Sequence, residues 1–172
     1  LLRDADVMSM AHGVELRVPL CDAELWRKLE ELGPEPTLTT KQLLVAYEGE
    51  KPVYATLVST GEAGLDDPAT TKSTKRGIFR IHTKHITATM DSKTVGEEFE
   101  LREVPYVQYF QDGYALHAAY WHDVFGQPKS HGCINLSPED ARRLFFWTEP
   151  TVPAGWHGAA KGLTGTVVFV HQ

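Results

Sequence analysis

"KSHGCINLSPEDARRLFFW", Lys129 to Trp147, sets a His, a Gly and a Cys directly before a helix start. "SPED" supplies Ser137 as N-cap, Pro138 at the first helical position, and Glu139 and Asp140 in the first turn, where acidic side chains suit the helix dipole. "ARRLFFW" carries the helix on until Pro150 stops it. The stretches around it read differently. "KQLLVAYEGEKPVYATLVSTG" is a hairpin, with Leu43, Val45 and Tyr47 alternating against Leu44 and Ala46, a turn at Glu48 to Lys51, and a return over Val53 to Val58. "GIFRIH", "HITATMD", "ELREVPYVQYF" and "GYALHAAY" also have strand character, the last two split by the turn pair Asp112-Gly113. "GTVVFVHQ" is a nearly continuous apolar strand, as a sheet core requires. Many strands and one main helix, placed just after the Cys-bearing loop, predict a mainly β domain, a sandwich or barrel-like sheet structure.

The chain has 172 residues, 42% of them apolar and 23% charged, which suits one folded domain with an appendage. Its formal charge is −6, and Lys72 to Arg76 is its only basic cluster, so nucleic acid is a poor partner. No apolar run approaches the ~18 residues of a membrane span. No signal peptide is visible, and with Leu1 rather than Met at the start this carries no information on export. Two parts differ in character: residues 1–36, charged and helical over Asp22 to Gly33, and residues 37–172, the strand-rich domain. Between the hairpin and "GIFRIH", Ser59 to Arg76 forms a long polar loop, of a length that usually serves function. "PEPTLTTK" is a poor strand, because its two prolines cannot donate to a ladder.

The thiol needs activation to react, since the thiolate is the nucleophile and its pKa falls beside a His or a helix N-terminus. Cys133 has His131 two residues upstream, on the same face if the segment is extended, and the helix a few residues downstream. Gly132 permits close backbone approach, and N–H groups at such a turn can stabilise an oxyanion. His117, at the end of an apolar strand, is the candidate base, and His122 a further one. The bland readings stand beside these: a free Cys is often a buried, inert residue, and a strand His is often structural. His117, His122, His131 and Cys133 could also bind zinc, although they lack the paired spacing of structural zinc sites. A permanent Cys21–Cys133 bridge would disable a reactive Cys133.

"ALHAAYWHDVFGQPKSHGCINLSPEDA", Ala115 to Ala141, resembles the signature of the L,D-transpeptidase catalytic domain family, and the resemblance extends over roughly residues 38–172. It implies a peptidoglycan-acting acyltransferase without a cofactor or metal. The Cys would attack a stem-peptide carbonyl, release the terminal D-amino acid, and hold the acyl group as a thioester until an amine takes it. The resemblance implies Cys133 as nucleophile, His117 as base oriented by the carbonyl of Ala118, and His131 supporting the thiolate and oxyanion region. Gly132 and Cys133 would donate backbone N–H groups to the oxyanion, and Ser130 and Asn135 would hold the loop. Tyr106, Tyr120 and Trp121 would line the substrate cleft. Ala118 stands where relatives often carry Gly, and a positive φ there would strain it and displace the base. Stem peptides would be the donor and acceptor partners, and the location the periplasm or cell envelope. The same fold could instead serve as a weakly active peptidoglycan-binding module, or as an L,D-carboxypeptidase with water as acceptor. Leu1 to Leu20 resembles a fragment of the synthetase domain of asparagine synthetase, without that enzyme's pyrophosphate loop or N-terminal Cys.

Overall fold

Two five-stranded sheets enclose the core. The computed structural model describes residues 13–17, 42–92, 99–160 and 164–171. The first sheet runs β3-β2-β1-β10-β4, with β1 Gly13–Arg17, β2 Leu43–Glu48, β3 Lys51–Leu57, β4 Gly77–Arg80 and β10 Val167–His171. The second runs β8-β7-β6-β5-β9, with β5 Thr83–Ser92, β6 Phe99–Gln111, β7 Tyr114–Ala118, β8 Ile134–Leu136 and β9 Gly158–Ala160. The helix α1 spans Pro138–Trp147. The mainly β sandwich with a helix after the Cys loop is therefore the architecture found. The hairpin forms across Gly49, whose φ of 61° suits the turn. The expected helix over Asp22 to Gly33, the segment "PEPTLTTK" and Cys21 lie outside the described residues.

The stretch expected to be an extension contributes a central strand. β1 pairs antiparallel with β2 and parallel with β10, so Gly13 faces Tyr47 on one side and Val167 on the other.

Leu44, Ala46, Val168 and Val170 of the first sheet meet Phe110, Leu116, Ile134 and Leu136 of the second. α1 joins this core through Ala141, Leu144 and Phe145, at the i, i+3, i+4 spacing that gives a helix one buried stripe. Its neighbour Phe146 is 59% exposed, so the two consecutive phenylalanines divide between core and surface. Both helix ends are tied down. At the N-terminus, Ser137 Oγ accepts from Asp140 N at 3.2 Å, and the Asp140 carboxylate accepts from Thr56 Oγ1 at 2.6 Å and from Tyr54 Oη, both on β3. At the C-terminus, Lys84 of β5, wholly buried, donates to the Phe145 carbonyl and to Thr148 O at 2.8 Å. A cation there meets carbonyls that have no partner within the helix. Burial lowers the Lys84 pKa to about 8. The helix is thus braced against both sheets, and β8, which leads into it, is held in register.

Candidate active site

β8 pairs parallel with β7, placing Ile134 opposite Leu116 and Asn135 opposite His117. Side chains alternate along a strand, so each strand has two kinds of face. Leu116, Ala118, Ile134 and Leu136 point into the core. Ala115, His117 and Asn135 are on the other alternation, and Cys133 directly precedes β8. Cys133, His117 and Asn135 line one cavity of about 870 Å³, together with Ser130, His131, Gly132 and Trp121. Pro68 to Thr71 of the polar loop form one wall, and Met90, Asp91 and Leu101 from the far ends of β5 and β6 another.

The loop before β8 is held by the start of the polar loop. Thr60 O accepts from Lys129 N at 2.8 Å and Ser130 N at 3.0 Å, and Ser59 exchanges two backbone bonds with Asn135. Ser130 Oγ donates to the Cys133 carbonyl and accepts from Gly132 N at 3.1 Å. Gly132 has φ 125°, and a Cβ there would come within 3.0 Å of the Tyr114 ring, so the position suits glycine alone. Residues 131–133 bend rather than extend, so the alternation expected to put His131 beside Cys133 does not apply. Both still reach the cavity, His131 from an exposed position.

His117 is 3% exposed, and its Nδ1 lies 3.0 Å from Ala118 O. A carbonyl only accepts, so Nδ1 carries the proton, and in the neutral ring Nε2 keeps its lone pair. Burial pushes this imidazole down to about 4, outweighing the Ala118 carbonyl, which acts the other way. The ring is therefore neutral at pH 7. The Trp121 ring lies 5.8 Å from it, 38% exposed at the cavity.

Cys133 is a free, half-buried thiol. Burial pushes it up to about 11, against a smaller lowering from the Ala115 backbone. This corrects the expectation of a thiol acidified by the helix start. The three residues of β8 intervene, a separation of roughly 10 Å, while the dipole effect fades within one turn. Burial thus favours the neutral thiol and the neutral imidazole.

Other expectations are corrected in the same way. The Gly132 N–H does not face the cavity for an oxyanion, because Ser130 Oγ takes it. Tyr106 is not a cleft residue: it packs on Phe145 and Phe146, ring centroids 5.6 and 6.2 Å away, beneath α1. It shares the inward alternation of Phe110 in β6. Tyr120 is not in the cavity wall either. Its hydroxyl donates to Arg102 O at 3.0 Å, and its ring sits edge-on to Trp121 from outside. Ala118 is buried within β7 and is not among the residues with positive φ, so it strains nothing there. His122 stands off the cavity, where its Nε2 lies 3.1 Å from Asn135 Nδ2. Among the described residues, no three of His, Cys, Asp and Glu gather to hold a metal ion. The polar loop's Ser59, Thr60 and Thr74 were missed as individuals. Their only signal in the sequence is membership of a long loop, since hydroxyl residues are common in loops of every kind.

The family model of the L,D-transpeptidase catalytic domain matches residues 37–170. That of asparagine synthase matches residues 1–46, which contain β1. Nothing matches among curated protein sequences. Among solved structures, an L,D-transpeptidase from Mycobacterium smegmatis is similar at 24% identity and a TM-score of 0.57, over 76% of this chain and 54% of that one. A cysteine-to-serine mutant of the Enterococcus faecium L,D-transpeptidase is similar at 26% identity and a TM-score of 0.56, over 76% and 46%. The catalytic domain of an E. faecium L,D-transpeptidase acylated by ertapenem is similar at 25% identity and a TM-score of 0.55, over 76% and 90%. The chain thus spans about half the length of the first two relatives. On the match over residues 37–170 and the sheet architecture it covers, the chain belongs to the L,D-transpeptidase catalytic domain family.

Proposed function

We propose that the chain is a cysteine-dependent peptidoglycan L,D-transpeptidase, with Cys133 as nucleophile and His117 as base. One observation carries this reading: a neutral His117, fixed through Nδ1 by the Ala118 carbonyl, lines the same cavity as a free Cys133. Fixing Nδ1 leaves Nε2 as the proton acceptor. As Sγ attacks the stem-peptide carbonyl carbon, its proton passes to Nε2 and the carbonyl oxygen becomes an oxyanion. The Cys133 N–H stabilises that oxyanion, and His131 supports the charge from the rim. Collapse breaks the bond to the terminal D-amino acid, whose nitrogen takes the proton back from Nε2. The thioester remains until an amine attacks it; the amine's proton goes to His117 Nε2 and from there to Sγ as the sulfur leaves, which restores the neutral thiol and imidazole. Burial keeps both groups neutral at rest, so charge forms only when a carbonyl is present to accept attack. Trp121 covers His117 and limits water's access to the thioester. Ser130 and Asn135 hold the loop.

The acceptor is an amine of a second stem peptide, and the location the periplasm or cell envelope, as the family implies. No helix among the described residues is long and apolar enough to cross a membrane.

The test is intact-protein mass after incubation with a carbapenem, whose strained carbonyl stands in for the acyl donor. One adduct is expected on the wild type, none at Cys133→Ala, and at His117→Ala an adduct formed on the order of 10²-fold more slowly. An adduct that persists in a folded Cys133→Ala protein refutes the assignment. Muropeptide products then identify the acceptor, with water as the other outcome.

A further inference from the structure

The peptide joining Gly132 to Cys133 carries the Gly132 carbonyl on one edge and the Cys133 N–H on the other. A trans peptide is planar, so these two groups point in opposite directions, and fixing one fixes the other. Thr74 Oγ1 donates to Gly132 O at 2.7 Å and accepts from Gly61 N at 2.8 Å. A carbonyl oxygen only accepts, so the hydroxyl's single proton goes to Gly132 O while an oxygen lone pair takes the Gly61 N–H. Thr74 is 4% exposed and stands outside the cavity wall. Gly61 is itself fixed: it bridges to Ser130, and a Cβ on it would fall 2.0 Å from Lys72 O. The hydroxyl therefore hangs from a rigid crossing of the backbone. The Gly132 N–H is meanwhile taken by Ser130 Oγ. Of the two N–H groups expected to serve the oxyanion, this leaves that of Cys133, and its direction is set from the far side of its own peptide.

We propose that Thr74 is a positioning residue for acyl transfer: by holding the Gly132 carbonyl it aims the Cys133 N–H at the oxygen of the attacked carbonyl. This rests on the reading of Cys133 as the acylated nucleophile. Thr74 touches no reacting atom. Its effect is confined to reactions that build an oxyanion, which separates it from a general packing role.

Two reagents divide the two roles. A carbapenem reacts at a carbonyl and builds an oxyanion. Iodoacetamide reacts at a saturated carbon and builds none. Both rates are followed at Cys133 by peptide mass, because the chain also has Cys21. Thr74→Val is expected to lower the acylation rate by about 10- to 100-fold, somewhat less than loss of an oxyanion donor outright. Its alkylation rate should equal that of the wild type. Thr74→Ser keeps the hydroxyl and should restore acylation. If Thr74→Val does not fold, Thr74→Ala set against Thr74→Ser gives the same ratio. Acylation at the wild-type rate without the hydroxyl overturns the proposal, as does a parallel fall in both rates. A wild type that alkylates at Cys133 and takes no acyl group removes the transpeptidase reading, and this inference with it.

Discussion

The two faces of the β7–β8 pair, with Cys133 directly before β8, do opposite things. Leu116, Ala118, Ile134 and Leu136 point inward, none more than 1% exposed. His117 and Asn135 on the other face, and Cys133 directly before β8, line the cavity, and all three carry a polar or reactive group. The apolar face holds the strands in register, and that register sets the base-bearing strand beside the one that Cys133 leads into. A site built on paired strands inherits the rigidity of the core beneath it. The difference teaches that stability and chemistry here are separated by one step of alternation, so neighbouring substitutions should have unlike consequences.

Ile134→Ala should produce the largest loss of stability, about 2–5 kcal/mol, because a fully buried side chain leaves a cavity. Cys133→Ala, one residue away, should cost about 1 kcal/mol or less, because its side chain borders an existing cavity. Urea unfolding of the two variants checks this, and equal losses would break the division of faces.

A smaller effect follows from His117. Its folded pKa is depressed from 6.5 to about 4, so the unfolded chain takes up a proton before the folded one does. Stability from this group is complete above pH 6.5 and is lost as pH falls towards 4. The loss between pH 7 and pH 4.5 should be about 2–3 kcal/mol and should vanish in His117→Gln. A pH dependence of unfolding free energy that is the same in both proteins would show that burial does not hold the imidazole neutral.

The smallest effect concerns Tyr106, which packs under α1. Tyr106→Leu should cost about 0.5–1.5 kcal/mol through its two ring contacts and leave carbapenem acylation unchanged. Slower acylation at equal stability would return Tyr106 to the cleft.

The readable parts of the site are those with local causes. The Cys133 loop, the N-cap at Ser137, the hairpin and the turn at Asp112-Gly113 each follow from nearby residues, and the structure has all of them. Tyr106 and Tyr120 resemble cleft aromatics in the sequence, yet the inward alternation of one and the outward stance of the other remove both from the cavity. The thiol's surroundings are hidden from the sequence for a similar reason. Nearness in sequence to a helix start is not nearness in space once three strand residues intervene.

The sequence by itself determined the strand and helix pattern, the residues able to act as nucleophile and base, and the start of α1. These rest on backbone preference, alternation and capping, which act over a few residues. Only the tertiary structure decided which N–H groups of the turn are taken and that burial holds His117 and Cys133 neutral. It alone set β1 between β2 and β10, and brought Thr74 from 58 residues away to the Gly132 carbonyl. Such contacts depend on which segments cross, and no local rule fixes where two distant backbones meet.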